Sequence, residues 1–144
     1  MFTESHKVST ALDYASGSAD RNGAILDMKG FQSVAVIVKF AVIAASAVTK
    51  VKLQSGAAAN MSDAADLALT SMAVVDDADN QVFILDATKI AERYVRLAID
   101  KDAANATAEE AVYIQYDART EPVTQAVTGF VTYEGHVSPA EGTA

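Results

Sequence analysis

The sequence predicts an all-β fold, an antiparallel β-sandwich of jelly-roll-like form with about eight strands and at most one short helix. Three observations carry this expectation. Valine and isoleucine cluster in short runs, where Cβ branching favours extended backbone over helix. Several of those runs alternate apolar and polar residues with period two, the pattern of a strand with one face buried. Clusters of Gly, Ser, Asp and Asn separate them at short intervals, the spacing of antiparallel strands rather than of βαβ units.

Residues 8–15 form a mixed first strand that ends in the turn sequence SGSADRNG, and extended chain resumes at Ala24. In AILDMKGFQSVAVIVKF a brief apolar piece leads through a Lys29-Gly30 turn into an unbroken apolar run. Unbroken apolarity marks a strand covered on both faces. AVTKVKLQSG then alternates, with Thr49, Val51 and Leu53 on a buried face and Lys50, Lys52 and Gln54 on a wet one. Residues 57–70 are where a single short helix or helical loop is expected, with Ser62 as N-cap and Asp63 and Asp66 in the first turn, where carboxylates complement the helix dipole, and a disordered surface loop is the alternative. SMAVV, QVFILD and ERYVRLAID follow as strands, the last with Val95, Leu97 and Ile99 on one face and Arg93 at its mouth. KDAANATAEE reads as a polar connector. AVYIQYDA is the last core strand, with Val112, Ile114 and Tyr116 expected to close the sandwich and Tyr113 and Gln115 on the other face. Pro122 has no N–H to give a ladder and releases the chain there. One sandwich domain is expected over residues 1–124, followed by a C-terminal arm, 125–144, that can add a strand through GFVTYEG.

Composition excludes several classes of function. A formal net charge of −8 opposes direct nucleic-acid binding, which draws its affinity from clustered Lys and Arg. The most apolar stretch, residues 33–48, is interrupted by Lys39 and falls short of the roughly 20 residues that span a bilayer. No membrane partner is expected, and the opening residues lack the basic and apolar regions of a secretory signal. There is no cysteine, so disulfides, thiolate nucleophiles and Cys-ligated zinc are out. His6 and His136 have no ligand partner at metal-binding spacing. DDADN, residues 76–80, departs from a calcium loop, with Val82 where glycine is needed and Thr88 where a bidentate glutamate is needed. Phosphate-binding glycine motifs and a nucleophile elbow are also missing. Neither catalysis nor a cofactor nor a metal is expected.

ILDATKIAERYVRLAID, AVYIQYDARTEPVT and SPAEGTA, with LDMKGFQSVAVIV before them, together resemble a group of small virion proteins of tailed bacteriophages. In that group a strand ending in Leu-Asp leads to an R-Y-V-R strand, then to Tyr-Gln-Tyr-x-x-Arg and a Pro-Val-Thr tail. The resemblance implies a capsid cement, or decoration, protein that binds the outer surface of the icosahedral head. There it would bridge subunits of the major capsid protein and stabilise the shell. Such a protein is a homodimer or homotrimer, made in the bacterial host cytoplasm and carried on the virion. A tail, neck or fibre-base virion protein is the alternative, and a carbohydrate-binding sandwich fits less well because no tryptophan is present for sugar stacking. Arg93, Arg96 and Arg119 suit bidentate pairing with carboxylates across an interface, or serve as ordinary surface salt bridges. With Glu121, Pro122, Val123 and Thr124, where the arm leaves the last strand, they make up the expected interface, and the arm is expected to pack along a neighbouring subunit.

Overall fold

Two antiparallel sheets face each other in the computed structural model, which describes residues 1–46, 49–101, 106–125 and 132–135. The first sheet runs in the order β1 (Lys7–Gly17), β10 (Thr107–Ala118), β4 (Phe31–Ile43), β8 (Val82–Ala87). The second is built on β9 (Tyr94–Lys101) and β5 (Thr49–Gly56), which pair with each other. Two short pieces, β2 (Arg21–Asn22) and β3 (Leu26–Asp27), pair with β9, and two more, β6 (Ala65–Asp66) and β7 (Met72–Val74), pair with β5. Joining each broken pair into one strand gives eight strands in the two four-stranded sheets of a jelly roll, as the sequence predicts.

The apolar patterns account for the core. Val34, Val36, Val38 and Phe40 of β4 are fully buried and face Val51 and Leu53 of β5 and Val95, Leu97 and Ile99 of β9 across the sandwich. Phe40 meets Phe83 edge to face, with centroids 5.5 Å apart. At the Lys29-Gly30 turn Gly30 adopts φ 90°, open to glycine without a Cβ clash.

Residues 57–70 hold no helix. Asn60 Oδ1 accepts the Ser62 N–H at 3.1 Å, and the Asp63 carboxylate accepts the Ala57 N–H at 2.8 Å and that of Ala58. These bonds draw Asp63 below the usual carboxylate range. Side chains that satisfy nearby amides compete with helical bonding, and the chain loops back so that Ala65–Asp66 can pair with β5. The only helix among the described residues is the single turn α1 (Phe2–Ser5).

The largest departure from expectation is the face of β10. Tyr113 and Gln115 are buried, whereas Val112 is 37% exposed and Ile114 and Tyr116 lie on the outer face with it. The strand starts at Thr107, so Thr107, Ala108 and Glu109, expected in a connector, are buried too. Each inward polar group has a partner on the opposite side of the sandwich. The Tyr113 hydroxyl donates to Ala24 O at 2.9 Å and accepts the Leu97 N–H at 2.8 Å. Gln115 Nε2 donates to Asp27 O at 2.9 Å. The Glu109 carboxylate accepts from Lys101 Nζ at 2.8 Å, Arg21 Nη1 at 2.9 Å and Thr107 Oγ1 at 2.7 Å. Gly23 makes room for this arrangement, since a Cβ there would lie 2.6 Å from the Tyr113 hydroxyl.

After β10 the chain turns back on itself. Arg119 N–H donates to Gly30 O and Val123 N–H to Glu4 O, both at 2.8 Å. The buried Gln125 accepts the Val8 N–H at 3.2 Å and donates to Thr3 O at 2.9 Å and to His6 O. Up to Gln125, therefore, the segment after Pro122 packs on its own N-terminus. Most of GFVTYEG and of the expected arm lies outside the described residues, and residues 132–135 are not in a strand.

Glu109→Ala would leave the Lys101 ammonium buried without its counter-charge and should lower unfolding free energy by about 3–5 kcal/mol in urea. Glu109→Leu combined with Lys101→Met should retain most of the stability. Equal losses in the two would contradict the pairing.

Burial pushes the Tyr113 phenol up to about 12. The unfolded phenol ionises near pH 10, so stability should hold below about pH 10 and fall as pH rises from there toward about 12. Tyr113→Phe leaves the Leu97 N–H and Ala24 O unpaired and should cost about 1–3 kcal/mol at neutral pH. It should also remove part of the alkaline decline in urea midpoints, the remainder coming from Tyr116, which burial and Asp86 likewise raise to about 12.

Candidate functional surface

Because β10 turns Glu109, Tyr113 and Gln115 inward, its Val112 and Ile114 join an apolar band on the outer face of the first sheet. Cross-strand pairing aligns Thr10, Val112, Ile37 and Ile84 in one row and Val8, Ile114, Ala35 and Asp86 in the next. A third row carries Glu110, Lys39 and Val82. Ile84 is 57% exposed, Val82 53% and Tyr14 62%. A shallow basin of about 360 Å³ opens between Tyr14, Ile37 and Val112, rimmed by Asp13, Lys39 and Glu110. At its other end the face is closed by an aromatic stack of Phe2 on His6 and His6 on Tyr116, with centroids 4.5 and 6.1 Å apart. The Tyr116 hydroxyl bonds to Asp86.

The outer face of the second sheet is built differently. Lys52 bridges Asp100 at 2.7 Å and Asp66 at 2.9 Å, and Arg96 Nε donates to Gln54 Oε1 at 2.8 Å. Those partners raise Lys52, Asp100 foremost, while Gln54 and then Lys52 hold Asp66 low. This is a solvated sheet face on which Lys52 is paired with two carboxylates. One sandwich thus presents one wet face and one face with an apolar band, and an antiparallel sheet that ends in water normally alternates as the second does.

The expected interface residues do not form a single surface. Arg93 is engaged within the chain, its Nε and Nη2 donating to both Asp27 carboxylate oxygens at 3.0 and 2.8 Å, with the guanidinium 5.1 Å from the Tyr94 ring centroid. That bidentate bond holds the Asp27 carboxyl below its ordinary range. Arg93 and Arg119 line one shallow depression of about 300 Å³ beside Gly30 and Ile90, whereas Arg96 lies on the outer face of the second sheet. Glu121, Pro122 and Thr124 are exposed and Val123 is half-buried near α1. The apolar residues Val112, Ile37, Ile84 and Ile114 were not expected on a surface. Their signal was the second apolar face of β4, where Ala35 and Ile37 interleave with the buried valines.

The acidic run 76–80 does turn work. Asp79 Oδ1 accepts the Ile43 N–H at 2.7 Å and Asp76 Oδ2 the Ser46 N–H at 2.5 Å. Among the described residues no three acidic or histidine side chains are grouped to hold a metal ion. His6 is half-buried in its stack, and His136 lies outside the described residues. No helix among them is long and apolar enough to cross a membrane.

No protein-family model and no curated protein matches the chain. Among solved structures it is similar to a protein of the disulfide-linked pili of Bacillus endospore appendages, at 12% identity and TM-score 0.49, covering 78% of this chain and 88% of that one. It is also similar to the SPBc2 prophage-derived protein YomS, at 10% identity and TM-score 0.46, covering 77% and 94%. Likenesses this loose carry no function across.

Proposed function

We propose that this protein is a non-catalytic capsid cement protein of a tailed bacteriophage, bound to the outer surface of the head. Its outer β1–β10–β4–β8 face lies on the major capsid protein and ties neighbouring subunits together. The observation that carries the reading is the apolar row Val112, Ile37 and Ile84 on a sheet face that no described part of the chain covers. Covering such a face with a partner stabilises both sides by roughly 25 cal/mol per Å² of apolar surface removed from water, and binding to the native state also raises the stability of the bound protein. The phage-like strand sequences support the choice of partner. An acidic exterior is compatible with a position outside the shell, away from packaged DNA.

The test uses purified heads with and without the protein. Wild type should bind in many copies around the shell and raise the temperature at which heads rupture. The pair Val112→Glu and Ile37→Lys, directly opposite each other on β10 and β4, should fold, since opposite charges compensate across strands, yet fail to bind. Unchanged head stability, or full binding by this variant, would contradict the reading, and a few copies at one vertex would indicate a tail, neck or fibre-base connector.

A further inference from the structure

The two edges of the first sheet are unlike each other. Along β1 several of the backbone groups turned away from β10 are taken up within the chain. Gln125 Oε1 accepts the Val8 N–H at 3.2 Å, Ala24 N–H donates to Ala11 O at 2.8 Å, Arg21 Nη2 to Asp13 O at 2.8 Å, and Lys101 Nζ to Gly17 O at 2.9 Å. Register shifts between Thr10 and Leu12 and between Leu12 and Ala15 distort the strand further. Bulges and covered edges are the means by which sheets block addition of another strand.

β8 has none of this protection. It pairs only with β4, and its other edge carries no strand among the described residues. Phe40 N–H donates to Gln81 O at 3.1 Å, so odd-numbered residues bond to β4 and Val82, Ile84 and Asp86 turn their N–H and C=O groups outward. From Gln81 to Leu85 there is no charge, proline or glycine.

We propose that β8 pairs with β8 of a second copy, antiparallel about a two-fold axis at Ile84, to form a homodimer with a continuous eight-stranded sheet. Residues directly opposite must share a face, which requires a register centred on a residue. Centring on Ile84 pairs Val82 with Asp86 of the second copy and Phe83 with its Leu85. The row Val112, Ile37, Ile84 then continues into the same three residues of the other copy. The centre of the contact, Val82 to Leu85, is uncharged, with Asp86 at its two ends, which matters for a chain of net charge −8, because like charges brought together oppose self-association. The bulged and largely bonded β1 edge disfavours head-to-tail addition of β8 to β1, whereas pairing of β8 with β8 is isologous and ends at two copies. The pairing stands whether or not the outer face binds a capsid.

The chain has no cysteine, which makes a single introduced thiol a clean probe. Across a hydrogen-bonded antiparallel pair the two Cα atoms lie about 5.5 Å apart, within disulfide range. Ile84→Cys should therefore give a covalent dimer on mild oxidation of the full-length protein. Ile37→Cys, whose two copies would be separated by three strand spacings or about 14 Å, should stay monomeric on denaturing gels. Sedimentation of the unmodified chain should show a monomer–dimer equilibrium, and Ile84→Lys should shift it to monomer with the circular dichroism of the fold retained. Equal crosslinking at both positions, a trimer, or a chain that stays monomeric at all concentrations would overturn the proposal. In the last case the open edge is left to an extended segment of another protein.

Discussion

Lys101 and Glu109, both buried and 2.8 Å apart, join the two sheets by their charges. Taking two such charges out of water is costly unless they pair and their remaining hydrogen-bonding capacity is met. Arg21 and Thr107 meet it for Glu109, and Gly17 O for Lys101. This requirement fixes the parity of β10. With Glu109 inward, Ala111, Tyr113 and Gln115 must also point inward, and a slip of one residue would expose every one of them. Tyr113 and Gln115 then reach backbone groups beside β9 and β3, so that β10 acts as a clasp across the sandwich. The same parity turns Val112 and Ile114 outward, and the apolar outer face follows from the polar interior.

The fold class was legible because it rests on residues whose pattern has one meaning. The β-branched run of β4, the alternation of Thr49, Val51 and Leu53 against lysines, and the Lys29-Gly30 turn all lie where their chemistry indicates. The face of β10 was not legible. In YIQYDA both faces carry large side chains, and hydropathy favours burying Ile114 over Gln115. What decides is the set of partners waiting across the sandwich, Lys101 from the preceding strand and Asp27 O and Ala24 O from segments almost 90 residues away. The helix expected over residues 57–70 failed for a related reason: Asn60 and Asp63 satisfy amides locally, a competition that propensity alone does not resolve.

Of the candidate site, the sequence identified residue types suited to an interface but not their commitments. Arg93 has the capacity to pair with a carboxylate, and it does so within its own chain, with Asp27. Glu121 to Thr124 lie where the chain folds back onto α1. The surface that presents unpaired apolar area is instead the sheet face beside an unguarded strand edge, two features that both favour assembly. A jelly roll with a wet face, an apolar band on the other face and an open β8 edge offers two surfaces on which another chain can pack.

The outward turn of Val112 is the point from which the functional surface follows, and thiol accessibility measures it directly. In a chain without native cysteine, Val112→Cys should react with a maleimide in the folded protein at nearly the rate of an exposed thiol. Ala111→Cys, at a position only 3% exposed, should stay protected until unfolding. A protected thiol in the Val112→Cys variant together with a reactive one in Ala111→Cys would reverse β10 and remove the apolar face.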